Sequence, residues 1–134
     1  MATTTYHGSC HCQRVTFEAD LDLSTGTGKC NCTYCWKIRN WSVIGKPEQF
    51  RLLTGKDQLS DYTNSDYGHH MFCRHCGVQL YTWGHLPQIG GDYVSVMLAA
   101  LDDLEPTALV EAPVRHSDGR ANNWMSPPAE TRHL

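Results

Sequence analysis

Seven cysteines stand in three tight groups along a chain of 134 residues. Cys10 and Cys12 lie in SCHC; Cys30, Cys32 and Cys35 lie in KCNCTYC; Cys73 and Cys76 lie in FCRHCG. C-x2-C is zinc-knuckle spacing. It sets two sulfurs on one side of a tight turn, each about 2.3 Å from a shared metal. Gly77, directly after Cys76, suits the sharp turn of such a knuckle. C-x-C is tighter, and its sulfurs converge only if the backbone curls, for which Gly8 stands ready.

Seven divides as four plus three. SCHC with FCRHC offers a closed four-sulfur site, and KCNCTYC is left with three thiols. Structural zinc takes four protein ligands, whereas catalytic zinc takes three and keeps one position open. Other partitions remain open at this stage. The three-thiol set can be closed by His11, His69, His70 or His75, which makes both metals structural. A single metal with three free thiols is another possibility. A redox C-x-x-C is a third, but it needs a βαβ context that this chain does not offer. His69 and His70 are adjacent, so on a strand they face opposite ways.

An open three-thiolate zinc carries a formal charge of −1. Sulfur donation weakens its Lewis acidity, so it activates water poorly but accepts a soft fourth ligand. A thiol suits that position and is held there as thiolate. An electrophile beside it is then attacked at high effective concentration. The expected chemistry is therefore joining a thiol to a carbonyl, or releasing one.

The elements that position these groups read as short strands. RVTFEA alternates, with Val15, Phe17 and Ala19 on one face. WSVIG, FRLLTG, QLSDYT, VQLYTW and YVSVML are β-branched or aromatic runs broken by Gly, Pro, Asn and Asp. LTGKDQL reads as a turn between two strands, carried by Gly55 and Asp57. Helix is limited to a short piece after Cys32, through TYCWKI. The tail DGRANNWMSPPAETRHL reads as irregular and is expected to lie across the body by way of Trp124. The fold class is all-β, mostly antiparallel, with cysteine clusters in its loops. Residues 1–134 are expected to form one domain.

Bulk properties narrow the function classes. Charged residues make up 19% of the chain and the net charge is −3. No basic stripe is present, so a nucleic-acid partner is not expected. No run approaches the ~20 apolar residues of a membrane span. MATTTYHGSC lacks the pattern of a secretory signal, so the expected compartment is the cytoplasm, where thiols stay reduced.

The ordered set G-S-C-H-C-x-x-V, C-N-C-T-x-C and F-C-x-x-C-G resembles the glutathione-dependent formaldehyde-activating enzyme (Gfa) family, whose superfamily includes centromere protein V. The matching stretches are Gly8–Val15, Cys30–Cys35 and Phe72–Gly77. The resemblance implies an Mss4-like β-tent of antiparallel sheets with zinc-binding loops. It implies two Zn2+ per chain: a structural one on Cys10, Cys12, Cys73 and Cys76, and a catalytic one on Cys30, Cys32 and Cys35. It implies a carbon–sulfur lyase that joins glutathione and formaldehyde as S-(hydroxymethyl)glutathione. Two alternatives stand beside this activity. One is a non-catalytic, zinc-stabilised binding module. The other is an enzyme of the same fold acting on a different small carbonyl compound or thioether. The segment WKIRNWSVIGKPEQF differs between branches of the family, so substrate need not follow fold.

Glutathione would bring two carboxylates and an ammonium. Lys37 and Arg39 can meet a carboxylate, Arg39 bidentately. Trp36 and Trp41 can wall a pocket, and Tyr34 can touch the fourth-ligand position. His11, His70 and His75 are the candidate proton carriers.

Overall fold

The structure, a computed structural model, describes residues 3–134. The strands are β1 (Thr4–Ser9), β2 (Thr16–Leu21), β3 (Thr27–Cys30), β4 (Trp41–Gly45), β5 (Phe50–Thr54), β6 (Leu59–Tyr62), β7 (Gly68–Cys73), β8 (Gln79–Leu86), β9 (Gly91–Met97) and β10 (Val114–Ser117). Two six-residue helices interrupt them, α1 (Thr33–Ile38) and α2 (Pro106–Glu111). The strands form two sheets, one in the order β1-β2-β5 and one in the order β10-β3-β4-β9-β8-β7-β6. The fold is all-β.

The alternation in RVTFEA produces its buried face: Val15, Phe17 and Ala19 are each fully buried. Phe17 stacks on Phe50 in the small sheet (centroids 5.1 Å apart), and Phe50 meets Tyr81 in the large one (4.3 Å). These rings, with Leu80, Val96 and Leu98, form the layer between the sheets. Burying one such side chain contributes roughly 1.5–3 kcal/mol.

Two details refine the sequence expectation and a third corrects it. LTGKDQL does join two strands, but β5 and β6 belong to different sheets, so it is a crossing and not a hairpin. The sheets are not wholly antiparallel, because β10 runs parallel to β3, pairing Ser117 with Cys30. Gly8 does not supply the curl before SCHC. Its role is close approach: a β-carbon there would stand 2.3 Å from the Phe17 ring and 2.7 Å from the Ala100 carbonyl. The left-handed residue of that turn is Gln13, at φ 66°. No helix of the described residues is long and apolar enough to cross a membrane.

Candidate metal centres

The turn after β1 and the turn between β7 and β8 are built alike. Cys10 N–H donates to the Val15 carbonyl (3.1 Å), and Cys73 N–H donates to the Val78 carbonyl (3.0 Å). Each first cysteine also accepts a backbone N–H at sulfur, from Val15 (3.4 Å) and from His75 (3.4 Å). Gly77 closes the second turn at φ +78°, and nothing lies within 4 Å of where its β-carbon would be. Its conformation, not space, requires glycine there.

The two turns face each other across the sheets. Cys10, Cys12, Cys73 and Cys76 bring their sulfurs within 4.8 Å of one another. Cys12 Sγ lies 3.6 Å from both Cys10 Sγ and Cys73 Sγ. An ion about 2.3 Å from four sulfurs at tetrahedral corners sets them about 3.8 Å apart, so the donor set fits zinc. Cys10 and Cys73 are buried, and burial pushes the Cys10 thiol up to about 11. The Arg14 backbone N–H, and then its guanidinium, hold the Cys12 thiol down to about 6. The cluster joins the small sheet to the large one through residues 61 positions apart in sequence.

The second cluster is Cys30, Cys32 and Cys35, again with all sulfurs within 4.8 Å. Cys30 ends β3. Cys32 caps α1, its Sγ accepting the Cys35 N–H at 3.3 Å, and Cys35 lies inside the helix. Cys32 N–H donates to Cys30 Sγ at 3.3 Å, which folds the C-x-C tightly. Hydrogen bonds from Cys30 and Cys35 hold the Cys32 thiol down to about 2, while the same contacts push Cys30 and Cys35 up. Sulfurs this close share one negative charge among themselves. A cation between them is needed for all three to be thiolates. Among the described residues, no histidine or carboxylate joins this set within 4.8 Å of all three.

Sequence reasoning missed the support beneath this cluster. Asn31, between Cys30 and Cys32, is clamped by the segment after β10. Its Nδ2 donates to Asp118 Oδ1 (2.9 Å), and Arg120 N–H and Nε donate to its side-chain and main-chain oxygens (3.0 and 3.2 Å). Gly119 packs directly on Cys30 Sγ and the Trp124 ring. The C-N-C-T-x-C string shows Asn31, but its partners lie 87 to 89 residues away.

A cavity of about 180 Å3 opens beside the cluster, lined by Cys30, Cys35, Trp36, Arg39, Trp41 and Lys29 among others. Arg39 and Trp41, singled out in the sequence, are thus beside the sulfurs. Lys37 is exposed and does not line the cavity; Lys29 supplies the second cation, its Nζ 4.3 Å from the Trp41 ring centre. Tyr34 lies elsewhere. Its ring stacks on His70 (4.1 Å), and its hydroxyl donates to Gln79 Oε1. Gln79 Nε2 donates to Thr82 Oγ1 (3.4 Å), which bonds His70 Nδ1 (2.8 Å). Burial holds His70 below its usual value, so it is neutral. Thr82 Oγ1 thus ties His70 to the Tyr34–Gln79 pair. His69 bonds Asp61 and stacks on Trp83, facing away from His70 as adjacent strand residues must. His11 is exposed, and His75 pairs with Gln58.

Residues 5–116 match the family model described as glutathione-dependent formaldehyde-activating enzyme. The chain belongs to that family. A solved structure of a protein from Rhodobacter sphaeroides has the same fold, with a TM-score of 0.68 at 24% identity. The match covers 81% of this chain and 99% of that one. The family match spans all three cysteine groups, so both clusters lie inside the Gfa domain.

Proposed function

We propose that this Gfa-family chain is a zinc-dependent carbon–sulfur lyase that joins a thiol, such as glutathione, to a small aldehyde, or reverses that step. The observation that carries this reading is the contrast between the clusters. One has four sulfurs, two of them buried. The other has three sulfurs, no fourth protein donor among the described residues, and a cavity beside it.

Cys10, Cys12, Cys73 and Cys76 would hold a structural zinc, and Cys30, Cys32 and Cys35 a second one. Zinc held by three thiolates supplies a soft position that lowers the pKa of an incoming thiol. The residues of the chain do the rest. Asn31, Asp118 and Arg120 hold the C-x-C in shape, and Trp36 and Trp41 wall the cavity. In the condensation, the sulfur–carbon bond forms, the carbonyl π pair moves to oxygen, and the proton lost by the thiol ends on that oxygen. His70 is the imidazole to which this reading gives the proton-carrying role, on the strength of its stack on Tyr34, which stands between Cys32 and Cys35 in the chain. All seven cysteines are unpaired, which suits a reducing compartment such as the cytoplasm.

Metal content and stability of two single variants test the reading. Wild type is expected to hold two zinc ions. Cys32→Ser is expected to keep one zinc, stay folded and lose turnover with glutathione and formaldehyde. Cys73→Ser is expected to lose the other zinc and most of its stability, because structural zinc contributes folding free energy outright. Equal destabilisation by both changes would make both metals structural and favour a binding module.

A further inference from the structure

The two cations of the cavity are already engaged, and by the chain itself. Lys29 Nζ donates to the Leu134 backbone oxygen at 3.0 Å. Arg39 Nη1 donates to the His133 carbonyl at 2.7 Å. The His133 ring lies 5.1 Å from the Trp36 ring, and Leu134 itself lines the cavity. Residues 130–134 therefore lie across the opening beside Cys30 and Cys35, fastened to the groups best suited to hold an anion.

The segment keeps its own shape. Glu130 Oε2 accepts N–H bonds from Thr131 and Arg132 (3.1 and 3.0 Å), and its carboxylate pairs with the Arg132 guanidinium (2.7 Å). Leu134 N–H returns to the Thr131 carbonyl at 3.0 Å. The turn is thus held from within, and its polar ties to the cavity are two bonds from cations to main-chain oxygens, that of Arg39 being to the neutral carbonyl of His133. A hydrogen bond between two charged groups is shorter and stronger than one with a neutral partner. A ligand carboxylate therefore competes favourably for Arg39, with Lys29 beside it on the same cavity wall.

We propose that residues 130–134 form a strap that closes the cavity through Lys29 and Arg39, and that a ligand bearing a carboxylate on a peptide-like arm opens it by taking those cations. The cavity, at about 180 Å3, has room for about six water-sized groups of ~30 Å3 each. That suits a short arm, not a second protein. The inference rests on the proposed function only in directing the ligand's sulfur to Cys30, Cys32 and Cys35. The strap also makes Lys29 and Arg39 specificity residues, since a thiol without a carboxylate cannot displace it.

Glutarate separates these ideas, because it carries carboxylates and no sulfur. The 15N-labelled full-length zinc protein is titrated with it, and the amide signals of Arg132, His133 and Leu134 are followed. They are expected to move toward unstructured positions as glutarate saturates. Arg39→Gln, and independently Lys29→Gln, should weaken that response roughly tenfold. The double variant His133→Gly, Leu134→Gly should bind glutarate several-fold more tightly, because apparent affinity scales with the open fraction. Strap signals that stay fixed at the highest glutarate concentration, or that move equally in the Arg39 and Lys29 variants, overturn the proposal. A protein that fails to take a thiol while its strap still yields to glutarate would sink the lyase reading alone.

Discussion

A β-carbon on Gly119 would stand 2.8 Å from the sulfur of Cys30. Sulfur and carbon do not approach so closely without contact, so the segment after β10 sets where Cys30 lies. Parallel pairing of β10 with β3 brings the two residues together. Gly119→Ala is expected to push Cys30 away from Cys32 and Cys35. Metal analysis should then show the second zinc lost or weakly held, with the first retained and thermal stability little changed. Full occupancy of both centres would mean that the Trp124 ring alone moves aside.

The part-buried network from Tyr34 to His70 makes a second prediction. Gln79→Leu leaves the Tyr34 hydroxyl and Thr82 without their shared partner. Leaving a fully buried polar group unpaired costs about 1–3 kcal/mol; these groups are part-buried, so the loss in a denaturant titration should fall at the low end, about 1 kcal/mol. Activity should fall further than in an equally destabilised variant remote from the network, because the tie from Tyr34 to His70 is cut. An activity loss no greater than that of such a control would remove His70 from the mechanism.

Acid stability follows from a cross-strand ion pair in the small sheet. Arg51 donates to Asp20 through both Nη atoms at 2.9 Å and to Glu18 at 2.6 Å. The guanidinium holds the Asp20 carboxyl down to about 2. A carboxylate with a depressed folded value stabilises the fold above its unfolded value of about 3.9 and loses that contribution as pH falls toward 2. Wild type should therefore exceed Arg51→Met in stability near neutral pH. The difference should shrink between about pH 4 and pH 2. A difference independent of pH would show that Arg51 acts through packing.

The legible parts of this molecule are those written locally. Period-two alternation gave Val15, Phe17 and Ala19 a shared buried face, and WSVIG became β4 residue for residue. The short helix TYCWKI and the two sulfur clusters also follow from neighbouring residues. What escaped was written across the chain. Lys29 and Lys37 both flank the three-sulfur cluster, and sequence distance favours neither; only the strand places Lys29 on the cavity wall. VRHS carries no alternation that marks it as a strand, yet as β10 it delivers Asp118, Gly119 and Arg120 to Asn31 and Cys30. The tail reaches the cavity through His133 and Leu134 and not by way of Trp124, which is half exposed and bonds to Asn122. The tail's ties to the cavity are backbone oxygens, which no residue type announces.

The most direct test of the central claim is a glutathione titration of the protein with cobalt at the Cys30, Cys32 and Cys35 centre. The account predicts a thiolate-to-cobalt band that grows and saturates as glutathione is added, and that is absent in Cys32→Ser. A spectrum unchanged by glutathione or any other small thiol would show a closed site and contradict an open three-sulfur centre.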